Sequence, residues 1–290
     1  MQIWKKIKPY ILHMRPLSWV LVTFHFILGF IFGGGFSIDY INALLLGCFI
    51  WAVLLNSGAL AFNSFYDRDK GDITWLNNPP AIPRYLLQFS IFLFIIGLTL
   101  AYFINSRFFI AALVASILSI LYSHPKIRLK KIAGFDALAN VIAYGILTPY
   151  AGYILINNSL SDSFGLVLIA MFFLTTGGYP LSTIYQYKED IKRGDITLTA
   201  FLGKKNSLLF SMAAITIGFL IIFYGIYKGL LGHYAILALL VFISVLFILL
   251  NWFFNLNEID AKKELYKAYL LMMAIDVILA ISIILPIKLF

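Results

Sequence analysis

Residues 41–72 read INALLLGCFIWAVLLNSGALAF followed by NSFYDRDKGD. The first part runs from Ile41 to Phe62 without a charge, which matches the roughly 20 apolar residues a helix needs to cross a bilayer. The second part, beginning at Asn63, holds Asp67, Asp69 and Asp72 within a few residues of that run's end. The chain therefore reads as a membrane-spanning helix that delivers a cluster of carboxylates to the water interface. Composition extends that reading to the whole molecule. Of 290 residues, 62% are hydrophobic and 12% charged, whereas a water-soluble domain has about 45–50% apolar and about 25% charged residues. Phe (27) and Tyr (17) are abundant, as expected where rings meet lipid and headgroups.

Scanning outward from residues 41–62 predicts nine spans in one all-α, polytopic membrane bundle, a single domain over residues 1–290. They fall at about 17–36, 41–62, 86–104, 108–122, 135–156, 164–185, 208–227, 234–254 and 266–287. Lys5, Lys6 and Lys8 precede the first span without a small-residue cleavage site, so that span is expected to be retained. With the N-terminus on one side, 19 of the 22 Lys and Arg share it, leaving Arg107, Lys228 and Lys288 on the other. The positive-inside rule makes the rich side cytoplasmic, with the cell's inner membrane as the expected location. The net charge of +9 then reflects topology and anionic lipid, and nucleic acid is not an expected partner. Cys48 is the only cysteine, which excludes an intrachain disulfide.

The acids do not follow the positive-inside rule, so their clustering needs another reason. Glu189, Asp190 and Asp195 follow the sixth span as Asp67, Asp69 and Asp72 follow the second. Asn63 and Asp67 are four residues apart, as are Gln186 and Asp190, so each amide–carboxylate pair shares a helical face. A glycine lies four further on in both cases (Gly71, Gly194) and is expected to stop the helix, letting Asp72 turn back toward Asp67. Asp69, about 200° around the helix from Asp67, is expected to face away. Two such units suit a divalent cation of the Mg²⁺ type, which takes one or two carboxylates and completes its shell with water and phosphate oxygens. Asn63, Asp67, Asp72, Gln186 and Asp190 are the candidate metal ligands, with Asp67 and Asp190 the candidate catalytic carboxylates. Arg68, Lys126, Arg128 and Lys130 supply cations suited to a diphosphate. Asn140 and Tyr185 are candidates for an acceptor or helix-pocket role.

At these residues the chain resembles the UbiA superfamily of intramembrane prenyltransferases. The first family motif, Asn-Asp-x-x-Asp-x-x-x-Asp, is matched by Asn63 and Asp67, with Ser64 and Gly71 replacing two of its acids. The second, Asp-x-x-x-Asp, is matched by Asp190, with Gln186 replacing the first. Arg15-Pro16, Tyr122-Ser123, Gly194, Thr197-Leu198 and Leu202-Gly203 are similar as well. The resemblance implies Mg²⁺-dependent transfer of a prenyl group from a prenyl diphosphate to an acceptor, often aromatic. Quinone precursors, haem, chlorophyll and glycerol-phosphate lipids are the acceptor classes it brings. The alternative is a secondary transporter built around Asp276, since acids inside spans are usually functional. A CDP-alcohol phosphotransferase is disfavoured, because its motif opens with Asp-Gly and this chain has no such pair.

Overall fold

In the computed structural model, residues 2–68 and 71–285 are described, with no side-chain statement for Gln2 and Ile3. A short helix α1 (Gln2–His13) leads into α2 (Leu17–Phe32) at a bend of 46°. There follow α3 (Ile38–Asp67), α4 (Leu86–Ile104), α5 (Ser106–Ser123) and α6, which covers residues 135–153. After α7 (Asp162–Ile184) come two short helices, α8 (Tyr187–Arg193) and α9 (Leu198–Leu202). The chain ends with α10 (Lys204–Tyr227), α11 (His233–Phe254) and α12 (Ala261–Ile284).

Each of the nine expected spans falls on a helix, but the count of nine is not reproduced by length and composition. Among the described residues seven helices pass that test, or eight if α1 and α2 together form one bent span. Residues 135–153 are the exception. They are helical throughout, yet 141–147 are wound as a π-helix between two six-residue α segments. α3 has the same device at Phe49–Leu55. Such wide turns are frequent at functional sites, and residues of both line the cavity described below. α12 starts five residues before the expected Tyr266, because the Asp260 side chain accepts from the N–H groups of Lys262 and Lys263 and so caps a polar first turn. Lys288 and the expected end of the last span lie outside the described residues.

Lipid offers no hydrophobic drive for helix association, so close packing has to supply it. α2 and α6 meet backbone to backbone: a Cβ on Gly29 would sit 1.7 Å from Pro149 O, and one on Gly152 only 2.0 Å from Phe26 O. α7 packs along α10 in the same way, where a Cβ on Gly177 would lie 2.7 Å from Ser211 O. The interior between the helices holds Phe26, Phe108, Phe164, Phe219 and Trp252, each essentially without exposed surface. Phe92, Phe103, Leu240 and Phe247 point outward instead, an apolar exterior suited to lipid. The chain is thus an all-helical, multi-pass integral membrane protein.

Candidate active site

α3 carries the first acidic unit to one end of the bundle. Its last residue is Asp67, and the turn that stops it uses Arg68 in the left-handed conformation (φ 51°), whose N–H bonds to Ser64 O. The expected stop at Gly71 is therefore replaced by one three residues earlier. At the other unit the expectation holds: Gly194 caps α8 at φ 73°. Gln186 is the residue immediately before α8, and its carbonyl accepts from the Asp190 N–H, so amide and carboxylate lie one turn apart.

Asn63, Asp67, Gln186 and Asp190 all line one cavity that runs from this end into the bundle. Asp195, Lys130, Arg193, Arg15 and Asn140 line it too. The loop between α5 and α6 holds the two units together. The Lys130 ammonium, largely buried, forms an ion pair with Asp67 Oδ1. Arg128 Nη2 lies 3.3 Å from Asp195 Oδ2 and 3.8 Å from Asp67 Oδ1, so those two oxygens are at most about 7.1 Å apart. Lys131 approaches Asp195 at 3.5 Å, and Arg193 approaches Asp190 at 2.9 Å and Asp195 at 3.7 Å. Three carboxylates are thus interleaved with four cations. Burial pushes the Asp190 carboxyl above the usual carboxylate range, with the Arg193 guanidinium pulling partly the other way. Asp67 Oδ1 and Asp195 Oδ1 are buried, each against a lysine ammonium.

Four expected site residues are placed elsewhere, and for those the expectation is corrected. Asp72 does not turn back toward Asp67. It accepts from the Asn78 N–H at 2.8 Å and pairs with Lys262 at 3.1 Å, and these contacts hold its pKa below the usual range. It thereby latches the loop after α3 to the start of α12. Arg68 is exposed beyond the helix stop and Lys126 is exposed on the rim of its loop; neither lines the cavity. Tyr185 shares a 2.7 Å hydrogen bond with the Thr74 hydroxyl and lies under the Lys262 ammonium, so it serves the latch. Asp69 lies outside the described residues.

Other residues enter the site that the spacing argument did not select. Arg15, itself in the left-handed conformation, donates through Nη2 to Asn63 Oδ1 and Ser64 Oγ, both at 3.2 Å. Its position before Pro16, on the cytoplasm-assigned side, was the available signal. Asp195 was in the acidic window but broke the four-residue spacing. Asp136, fully buried at the start of α6, accepts from Tyr179 OH at 3.0 Å and from the Leu198 N–H at 2.7 Å. It thereby fixes α9 and one cavity wall. Asp276, the basis of the transport alternative, lies deep between α2 and α12, 2.5 Å from His25 Nδ1; it is not on the cavity surface, though His25 is. Among the described residues no three His, Cys, Asp or Glu side chains form a ready-made metal cage.

Fold and site together define a helical membrane bundle with a polar-mouthed cavity, its acids delivered by two helix ends and its cations by the loop between. A sequence model of the UbiA prenyltransferase family matches residues 20–274, and the chain belongs to that family. No curated protein sequence matches it significantly. Among solved structures it is similar to a UbiA homologue from Archaeoglobus fulgidus bound to DMAPP and Mg²⁺ (TM-score 0.71, 21% identity, 92% of this chain and 97% of that one). It is also similar to a digeranylgeranylglyceryl phosphate synthase structure (TM-score 0.69, 19% identity, 97% and 99%). A third similar structure is the apo form of a UbiA homologue from Aeropyrum pernix K1 (TM-score 0.68, 16% identity, 91% and 96%).

Proposed function

We propose that this protein transfers a prenyl group from a prenyl diphosphate to a nucleophilic acceptor, with Mg²⁺ bound between the two acidic units and the site facing the cytoplasm. The observation that carries the reading is the Arg128 bridge: it joins the end of α3 and the turn after α8 at one cavity mouth, within about 7.1 Å through Asp67 and Asp195. The donor set fits the metal. Asn63, Asp67, Gln186, Asp190 and Asp195 offer only hard oxygen atoms, and one or two carboxylates per ion leave room for diphosphate oxygens. Bound there, Mg²⁺ would offset the negative charge that grows on the leaving diphosphate. The similar Archaeoglobus fulgidus proteins, solved with DMAPP or GPP and Mg²⁺, support the same ligands here.

The chain's own residues account for the rest. Lys130, Arg128 and Arg193 would turn from their carboxylates toward diphosphate oxygens, keeping the leaving group in a fixed orientation. Arg15 holds Asn63 by its Oδ1 while Ser123 accepts from its Nδ2 at 3.1 Å, so the amide is presented in one rotamer. Tyr122, Tyr144, Tyr179 and Tyr269 line the cavity inward of the charged mouth. Their rings exclude water and stabilise positive charge on the allylic carbon as the C–O bond breaks. The acceptor's nucleophilic atom then bonds to that carbon and loses its proton. Incubating the purified full chain with Mg²⁺, prenyl diphosphates and an acceptor panel should give Mg²⁺-dependent diphosphate release and a prenylated product by mass spectrometry. No Mg²⁺-dependent consumption of any prenyl diphosphate would refute the reading.

A further inference from the structure

The face of α3 toward the cavity is a stripe at four-residue spacing: Trp51, Leu55, Ala59, Asn63 and Asp67 all line it. At about 1.5 Å of rise per residue, Trp51 lies ~24 Å from Asp67 along that wall, slightly less through the π-turns. Of the α3 residues that line the cavity, Trp51 is the one farthest from Asp67. The indole is 4% exposed and its N–H donates to Thr148 Oγ1 at 3.0 Å. Its ring meets Phe26 at 6.4 Å and Phe108 at 5.8 Å, and those two rings stand edge to face at 6.3 Å. Both phenylalanines are completely buried. His25, the residue before Phe26, also lines the cavity and is tied to Asp276 behind it, a polar group that gives an apolar chain no reason to push past it.

We infer that Trp51 sets the upper length of the isoprenoid this protein accepts, at three to four isoprene units. The inference rests on the proposed function and specifies its donor. A four-carbon repeat with bonds near 1.5 Å projects about 5 Å when extended. Metal–oxygen distances near 2.1 Å mean that the diphosphate takes roughly the first 5 Å inward from Asp67. About 19 Å then remain, enough for nearly four units, and a fifth meets the indole. Thr148 matters because its hydroxyl pins the indole in the rotamer that closes the floor. The hydroxyl itself donates to Ala143 O at 2.8 Å, inside the π-helical part of α6, so the wide turn there braces the stop.

The test uses the full chain in lipid nanodiscs with Mg²⁺ and prenyl thiolodiphosphates of 10, 15, 20, 25 and 30 carbons, which resist ionisation. For the unaltered protein, Kd should tighten up to 20 carbons and weaken by about tenfold or more at 25. Trp51→Ala should move that break outward by at least one unit, while its Kd for the 10-carbon compound stays within about twofold. Trp51→Phe, which keeps a ring in the same packing, should move it part of the way and serves if the alanine variant does not fold. A flat length profile in the unaltered protein, or a break that neither variant moves, overturns the inference while leaving the proposed function standing. If no thiolodiphosphate of any length binds, the proposed function falls and the inference with it.

Discussion

Replacing Asp67 by Asn keeps its size and removes its charge, and two separable losses follow. The first is catalytic. Losing one of the two carboxylates that the metal would share should slow Mg²⁺-dependent diphosphate release about 10²-fold, equivalent to roughly 2.7 kcal/mol of barrier. The second is structural and follows from Lys130, which is 8% exposed and paired with Asp67. Breaking a buried pair from one side costs about 3–5 kcal/mol. The neighbouring Asp190, whose charge already interacts with Lys130, and the open cavity mouth place this case at the low end, about 3 kcal/mol. Adding Lys130→Met removes the stranded ammonium, so the double variant should recover most of the stability and none of the activity. Thermal unfolding in detergent and diphosphate release measured on the same preparations read the two effects. Full Mg²⁺-dependent turnover in Asp67→Asn would refute the metal assignment. A double variant no more stable than the single would refute the reasoning about the pair.

Asp195→Asn should also slow turnover, by about tenfold or more, since it removes the carboxylate through which Arg128, Lys131 and Arg193 are organised; unchanged kinetics would remove Asp195 from the site. Asp72→Asn should leave kcat within about twofold, because the residue latches a loop outside the cavity. Its lowered pKa means that the latch is complete above the ordinary carboxylate range and is lost only as pH falls through that lower value. Proteolysis of the loop at residues 71–85 should thus be constant between pH 6 and 8 and faster in the Asn variant. Gly152→Ala should destabilise the bundle by about 1–3 kcal/mol, read by thermal unfolding, because its Cβ would lie 2.0 Å from Phe26 O; an unchanged melting temperature would contradict the α2–α6 packing. In a Cys48→Ser background, single cysteines at Ile127 and Ile191, both exposed, should react with an impermeant maleimide only from the cytoplasmic side, and labelling from the opposite side would reverse the proposed orientation.

The helices were legible because lipid leaves the sequence little choice. A span must be apolar and internally bonded, so α4, for example, begins and ends where its apolar run does, at Leu86 and Ile104. The i, i+4 rule carried the reading further, placing Asn63 with Asp67 and Gln186 with Asp190, because both pairs stay within single helical turns. It failed where the helix stops. The destination of Asp72 is decided by Lys262, 190 residues away, and no local pattern contains that contact. The π-turns were hidden for a related reason: Phe49–Leu55 and residues 141–147 are as apolar as any α-helical stretch, so nothing in their composition marks the change of winding. Asp195 was in the second acidic window but was not selected, because its place at the site comes from Arg128 and Lys131 on another segment and from Arg193 beside it, and not from a four-residue spacing.

The ion pairs at the cavity mouth also explain how a strongly charged site can sit at the head of an apolar tunnel. Lys130, Arg128 and Arg193 are held against Asp67, Asp195 and Asp190, so neither set of charges is buried unpaired, which would be costly. A diphosphate with its metal brings both signs at once: its oxygens can take over the cations while the metal takes over the carboxylates. The exchange keeps every charge matched and needs only side-chain movement, since the backbone that carries them is fixed by the ends of α3 and α8 and by Asp136. It also couples the two ligands. Metal without diphosphate would strand the cations, and diphosphate without metal would strand the carboxylates. Each should therefore bind more tightly in the presence of the other, by equal factors in both directions. Isothermal titration of Mg²⁺ with and without a prenyl thiolodiphosphate, and the reverse, measures both factors; independent binding of the two would show that the paired charges at the mouth are not the ones the substrate displaces.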